Sequence, residues 1–165
     1  MSIKINYPKK ATGKSSTNLV LFADEKFNIS KLKKYISNTE FTYINDLLKI
    51  SDLKKNLFVF EVNSKKKIVL ISIKKDLKSF DIENLGAEFY GRINYGKNSE
   101  YFINSDSIVA KLENFIGYFL HGLKLKSYEF NKYKTKKKET RTISINVLGN
   151  INKPSAQNQL KFKAC

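Results

Sequence analysis

Residues 57–73, Leu-Phe-Val-Phe-Glu-Val-Asn-Ser-Lys-Lys-Lys-Ile-Val-Leu-Ile-Ser-Ile, decide the fold. Leu57–Val62 and Lys67–Ile73 are short runs rich in aromatic and β-branched residues, and the polar loop Asn63–Lys66 joins them as a hairpin. Their apolar residues are nearly continuous rather than alternating, which is typical of strands covered on both faces. The pattern therefore favours a layered α/β domain.

Outward from this hairpin, strand patterns alternate with helix patterns. Further strands are predicted at Ile3–Tyr7, Leu19–Phe22, Tyr101–Ile103 and Thr142–Leu148. Helices are predicted from a Ser30 cap through Tyr35–Ile36, over Phe41–Ile50, over Asp81–Asn94, and over Ile108–Leu125 with Asp106 or Ser107 as its cap. This order predicts an α/β fold, a three-layer α/β/α sandwich with a mixed sheet.

Four glycines fall inside the last two predicted helices: Gly86, Gly91, Gly117 and Gly122. Each costs about 1 kcal/mol relative to alanine in a helix interior. Close packing against the sheet is the compensation that we expect.

Length and composition fit one globular domain. The chain has 165 residues, of which 41% are hydrophobic and 13% aromatic. A single cysteine, Cys165, excludes an internal disulfide framework. No apolar run approaches the length that crosses a bilayer, and the N-terminus has no signal-peptide core, so we expect a cytoplasmic protein.

The charge is strongly basic, at +16, which raises the question of nucleic-acid binding. Of the 31 basic residues, 29 are lysine, and only Arg92 and Arg141 are arginine. Arginine is the residue favoured for bidentate recognition of phosphates and base edges. Because lysine codons are AT-rich, genome composition is the first explanation of the charge, and selection for polyanion binding is the second.

The inventory of reactive groups is sparse. With one histidine and one cysteine, metal sites built on imidazole or thiolate are excluded, and the acidic residues are scattered singly. His121 has no sequence partner for a catalytic triad, so a structural role at a helix end is favoured. Gly13-Lys14-Ser15 resembles the end of a phosphate-binding loop, but the required first glycine is replaced by Pro8.

A basic run follows the last predicted helix, beside the aromatic residues Tyr128, Phe130 and Tyr133. Lysines interleaved with aromatics bind single-stranded nucleic acid through phosphate contacts and stacking. The candidate contact residues are Lys132, Lys134, Lys136, Lys137 and Lys138. The alternative, which we favour, is a solvated connector whose aromatics pack inward while the lysines point outward.

Residues 120–139 also resemble a known family. Here the end of a helix turns through Ser127–Asn131 into the basic run, and the strand Thr142–Leu148 follows. This pattern resembles the closing part of the N-terminal domain of leucyl aminopeptidases. The residues that carry the resemblance are Gly122, Leu123, Leu125, Tyr128, Phe130, Tyr133, Lys134, Lys136 and Lys137. Lys153–Leu160 is similar to the segment that enters the family's catalytic domain.

The resemblance implies a macro-domain-like fold for residues 1–150 and the start of a linker helix at residues 151–165. It further implies a non-catalytic domain that takes part in the packing and assembly of a homo-hexamer. The two divalent metals of the family enzyme (zinc, manganese or magnesium) would belong to a C-terminal catalytic domain whose motifs this chain lacks, so the chain alone should be inactive.

Two alternatives belong to other classes. A stand-alone basic module would bind nucleic acid, DNA included, with an affinity that falls steeply with salt. A macro-like pocket for ADP-ribose ranks last, because it needs a glycine-rich phosphate loop that the sequence does not contain.

Overall fold

Strands and helices alternate along the chain in the computed structural model, which describes residues 2–6, 18–62, 66–74, 76–93, 99–108, 114–133 and 142–148. The strands are β1 Ser2–Asn6, β2 Asn18–Asp24, β3 Leu57–Glu61, β4 Lys67–Ile73, β5 Ser99–Asn104 and β6 Thr142–Leu148. The α-helices are α1 Asn38–Lys49, α2 Ser79–Ile93 and α3 Phe115–Tyr133. Single turns of 3₁₀ helix lie at Ser30–Leu32 and Ser105–Ser107.

The strands form one mixed sheet in the order β1-β6-β5-β2-β4-β3. Neighbouring strands are parallel except β3, which pairs with β4 in the antiparallel direction. The hairpin predicted from residues 57–73 is confirmed, with Leu57 opposite Ile71 and the Val62 N–H donating to Lys66 O. Parallel neighbours need long crossover connections, which explains why helices separate the other strands.

Side chains of the central strand β2 point alternately into two cores. Val20 and Phe22 pack with residues of α2 and α3 on one face, whereas Leu21 and Ala23 pack with residues of α1 on the other. The continuous apolar runs are explained by this double coverage. The predicted three-layer α/β/α sandwich is confirmed.

An aromatic cluster fills the core beneath α2 and α3. The Phe22 ring meets the rings of Phe115 and Phe119 edge-on, with centroids 5.2 and 5.6 Å apart. Phe89 of α2 meets Tyr101 of β5 in the same way at 5.7 Å. Burial raises the pKa of Tyr101, so its phenol stays neutral in the core. Such edge-to-face pairs stabilise the core by about 1 kcal/mol each beyond the area they bury.

Two glycines allow α2 and α3 to touch through their backbones. A Cβ on Gly86 would overlap the carbonyl of Phe119, and one on Gly122 would overlap the carbonyl of Glu83. The close contact is therefore between the two helices and not with the sheet, which corrects our expectation. Around Gly91 there is nothing within 4 Å that a Cβ would meet, so packing does not require a glycine there.

The predicted bounds of the long helix are wrong at both ends. Helix α3 begins at Phe115, and Asn114 before it has a positive φ of 58°. At the other end the helix continues to Tyr133, through Ser127–Asn131 where a turn was predicted. Ser127 is 4% exposed and its hydroxyl donates to Lys124 O at 2.7 Å, so this polar side chain is satisfied within the helix and does not end it.

The predicted caps are corrected as well. Ser107 does not cap α3; its hydroxyl donates to Asn104 O at 2.7 Å and accepts from Phe22 N–H at 3.0 Å, which joins the end of β5 to β2. Ser30 is the first residue of a 3₁₀ turn whose cap position is occupied by Ile29, and its hydroxyl donates to Asn28 Oδ1 at 2.9 Å. The residue that caps α1 is Ser37, which forms a capping box with Glu40.

Glu40 also joins α1 to the hairpin. Its Oε2 lies 2.9 Å from Lys66 Nζ, and the side chains of Lys66 and Glu40 are only 9% and 12% exposed. Burial acts to raise the pKa of Glu40, but the Ser37 N–H and the Lys66 ammonium outweigh it and hold that pKa below its usual value. The carboxylate is therefore ionised at neutral pH and pairs α1 with the β3–β4 connection.

Candidate functional site

A cleft of about 560 Å³ lies where β2 and β4 end and α2 begins. Ligands of open α/β sheets bind outside the carboxyl ends of the parallel strands, which makes this the first place to look for a site. The lining residues come from the start of β3, the ends of β2 and β4, the loop into α2 and α2 itself. They are Glu25, Asn56, Ser72, Lys74, Asp76, Leu77, Asp81, Asn84, Leu85 and Glu88.

The cleft is acidic although the chain as a whole is basic. Its lining contains the carboxylates of Glu25, Asp76, Asp81 and Glu88, and its one basic lining residue is Lys74. The chain as a whole carries +16. Carboxylates that converge on a concave surface favour cationic groups, such as an amine, over anions.

Part of this acidity already serves the fold. Asp81 Oδ2 accepts the Lys78 N–H at 3.0 Å, one residue before α2 begins at Ser79. A carboxylate in this position satisfies a free helix N–H and interacts favourably with the helix dipole. Ser72 N–H is likewise engaged, donating to Asn56 O at 2.8 Å. Asp81 therefore has a structural role that does not depend on any ligand.

No metal centre is built in the part of the chain that the structure describes. No group of three or more His, Cys, Asp or Glu side chains lies there in an arrangement that holds a metal ion. The lining of the cleft contains neither His nor Cys. The arrangement can attract a cation through its carboxylates.

His121 lies in the middle of α3 and faces α2. Because α3 extends to Tyr133, this histidine is not at the helix end where we predicted it. Its Nδ1 lies 3.5 Å from Oε1 of Glu83, next to the contact between Gly122 and the Glu83 backbone. The position supports the structural role predicted for His121, and His121 does not line the acidic cleft.

The candidate nucleic-acid contacts cannot be compared with the structure in full. Lys132 belongs to the last turn of α3, and its side chain lies outside the described residues, as do Lys134, Lys136, Lys137 and Lys138. The loop with Gly13, Lys14 and Ser15 also lies outside them. These assignments stay predictions.

Sequence reasoning missed the acidic cleft. Asp76, Asp81 and Glu88 were interpreted as isolated carboxylates, and the fold brings them together with Glu25. One signal was present, because Asp81, Asn84, Leu85 and Glu88 follow the spacing of a single helix face. Glu25 and Asp76 reach the cleft only through the pairing of β2 with β4, which no local pattern reveals.

Comparison with known proteins gives a fold relationship. No protein-family model and no curated protein matches the chain. Among solved structures, a mutant of tomato leucine aminopeptidase superposes on 99% of this chain with a TM-score of 0.65 and 16% sequence identity. Leucyl aminopeptidase from Leishmania major in complex with actinonin aligns over 90% of the chain, with a TM-score of 0.46 and 10% identity.

The similarity to the tomato protein shows that this fold also occurs within a leucine aminopeptidase. The chain covers 35% of that protein's length, so it spans about a third of it. Among the described residues, no helix is long and apolar enough to cross a membrane.

Proposed function

We propose that this chain is the non-catalytic N-terminal domain of a leucyl aminopeptidase-like metallo-exopeptidase and that it serves in packing and assembly. The observation that carries the proposal is the superposition with the tomato leucine aminopeptidase, which takes in 99% of this chain and 35% of that one. About two thirds of the tomato protein lies outside the part that this chain matches. The catalytic groups of such an exopeptidase would lie there.

The residues of this chain do not fit the two divalent metals that the family implies. A two-metal hydrolytic centre needs several carboxylate or imidazole ligands converging on ions about 3.5–4 Å apart. The sequence has one histidine, and the described residues contain no group of three or more side chains placed to hold one ion. We therefore assign no hydrolytic step to this chain.

An exposed apolar patch on the helical layer supports the packing role. Phe80, Leu125 and Tyr128 are 59%, 46% and 54% exposed. The contacts of Gly86 with Phe119 and of Gly122 with Glu83 show that α2 and α3 run antiparallel, which brings Phe80 and Leu125 to the same end of the helix pair. Large apolar side chains grouped on a surface mark contact sites for other protein surfaces. We assign this patch to the contact with the catalytic domain or a sister subunit.

The proposal is tested by reading the source DNA past codon 165 and expressing the whole frame. We expect a continuing frame that encodes a carboxylate-rich domain. The long protein should hydrolyse a chromogenic leucine amide in the presence of Mn²⁺ or Zn²⁺, whereas residues 1–165 should not. A Phe80→Ser/Leu125→Ser variant of the long protein should change its assembly state with little change in activity per active site.

A stop codon with no such domain nearby would overturn the proposal. It would leave the stand-alone basic module, for which nucleic-acid binding that weakens steeply with salt is the expected property. Hydrolysis of the leucine amide by residues 1–165 alone would overturn it equally, because it would place the catalytic groups in this chain.

A further inference from the structure

The two edges of the sheet differ in how they discourage pairing with another chain. Strand β1 forms one edge and carries the exposed Lys4 at its centre. A lysine in that position is a common way to keep an edge unpaired. Strand β3 forms the other edge with the sequence Leu-Phe-Val-Phe-Glu, which contains no lysine, proline or glycine. The β3 edge therefore lacks the protection that the β1 edge has.

The hydrogen bonds to β4 show which backbone groups of β3 point outward. Val62 N–H donates to Lys66 O and Ser72 N–H donates to Asn56 O, so the even-numbered residues of β3 direct their backbone groups toward β4. Successive residues of a strand point their backbone groups to opposite sides. The N–H and C=O groups of Leu57, Val59 and Glu61 therefore face the free edge.

Little covers this edge in the described part of the chain. The Tyr43 hydroxyl donates to Glu61 O at 3.4 Å, which takes one outward acceptor at the end of the strand. The outward groups of Leu57 and Val59 have no hydrogen-bond partner among the described residues. Paired strands satisfy such groups with the N–H and C=O groups of a neighbour.

The charges flanking β3 are complementary to those of a second, antiparallel copy of the same strand. Exposed Lys55 precedes the strand, and exposed Glu61 ends it. In a two-fold antiparallel pair of β3 strands centred on Phe58, Leu57 lies opposite Val59, and Lys55, in the bend two residues before the strand, comes to the position that faces Glu61. Each of these matches occurs twice because of the symmetry. Opposite charges directly across a strand pair are favourable and like charges are unfavourable.

We propose that two copies of this chain associate through their β3 edges, in the register that is centred on Phe58, to form one sheet that continues across both. The proposal does not depend on the proposed function. A charge of +16 on each copy opposes association. Salt near 0.3 M shortens the range of that repulsion to about 6 Å and leaves the backbone hydrogen bonds intact. Association should therefore be measured at that salt concentration.

The test is sedimentation equilibrium of residues 1–165 from about 1 to 100 μM in 0.3 M NaCl, with circular dichroism as the check of folding. We expect a concentration-dependent shift from 19.1 kDa toward twice that mass. Lys55→Glu and Glu61→Lys should each raise the dimer dissociation constant about tenfold, because each places two like-charge pairs across the symmetric interface. The double variant should restore the original value, because it re-forms both opposite-charge pairs.

The charge variants separate this register from a general effect of net charge. If overall repulsion alone controlled association, Lys55→Glu would strengthen the dimer and Glu61→Lys would weaken it. Val59→Pro removes an outward N–H that β4 does not use, so the variant should fold and be monomeric. A wild-type monomer at every concentration would overturn the proposal. A Val59→Pro dimer would also overturn it and would direct attention to the surface of Phe80 and Leu125.

Discussion

The two helical layers are attached to the molecule by different kinds of interaction. Helices α2 and α3 meet through backbone contacts at Gly86 and Gly122, above a core of phenylalanine rings. Helix α1 is joined to the rest through its own apolar face and also through the Glu40–Lys66 ion pair, whose carboxylate belongs to the capping box that starts the helix. The first layer depends mainly on the close fit of the two helix backbones and on apolar packing. The second depends partly on charge, so we expect it to respond to pH and salt.

The largest effect should come from filling the backbone contact. Gly122→Ala places a methyl group where the Glu83 carbonyl lies, so the helices must move apart, and we expect a loss of about 3 kcal/mol in the free energy of unfolding. Urea denaturation measures this change in the free energy of unfolding. Gly91→Ala is the matched control, because its Cβ meets nothing within 4 Å, and it should stabilise the protein by up to about 1 kcal/mol. Equal effects of the two substitutions would refute the backbone-contact account.

The second-largest effect should come from breaking the ion pair between Glu40 and Lys66. Lys66→Met leaves the mostly buried Glu40 carboxylate without its cation, and we expect a loss of about 2 kcal/mol at pH 7. The matched control is Lys67→Met, the next residue along the chain, which forms no ion pair among the described residues. Thermal denaturation of both variants measures the two losses of stability. A loss no larger for Lys66→Met than for Lys67→Met would contradict the role assigned to the pair.

The same carboxylate predicts a pH dependence. The folded-state pKa of Glu40 is lowered, so its stabilisation is fully present above the ordinary value of 4.5 and is lost as pH falls through the lower folded-state value. Between pH 6 and pH 3 the wild type should therefore lose more stability than Glu40→Gln. Parallel slopes for the two proteins would show that Glu40 is not the group that titrates.

The smallest effect should come from the cap of α1. Ser37→Ala removes the acceptor for the Glu40 N–H and should cost about 1 kcal/mol. Ser30→Ala is the control, since the exposed Ser30 hydroxyl bonds only the neighbouring Asn28 side chain and caps no α-helix, and its effect should stay within about 0.5 kcal/mol. Amide hydrogen exchange in the first turn of α1 should quicken in Ser37→Ala only.

Sequence predicted the elements whose signal is local. The hairpin, α2 and β6 follow from apolar runs or helical spacing, and the structure has them within two residues of the predicted bounds. The start of α3 was not predictable from spacing, because Ile108 continues the apolar stripe and yet lies before the positive φ of Asn114. The end of α3 was missed because serine is common in turns. In the structure the Ser127 hydroxyl donates to Lys124 O within the helix, so this serine does not end it.

The candidate site was harder to predict from the sequence than the fold. Its carboxylates come from three separate elements, so their convergence depends on the order of strands in the sheet. The backbone contact at Gly122 was expected as close packing, but its partner was not, because a helix pattern does not say which neighbour a glycine meets. What sequence reveals poorly here is the pairing of elements distant in the chain.

The antiparallel pairing of β3 with β4 has a consequence for the order of folding. Strands β3 and β4 are joined by a short connection, and all other pairs need a crossover, up to the pairing of Ser2 with Thr142. Closing a short loop costs less chain entropy than closing a long one. We therefore expect the hairpin to form first during refolding and β1 to dock last. Pulse-labelled amides of Ser2–Asn6 should gain protection after those of Lys67–Ile73.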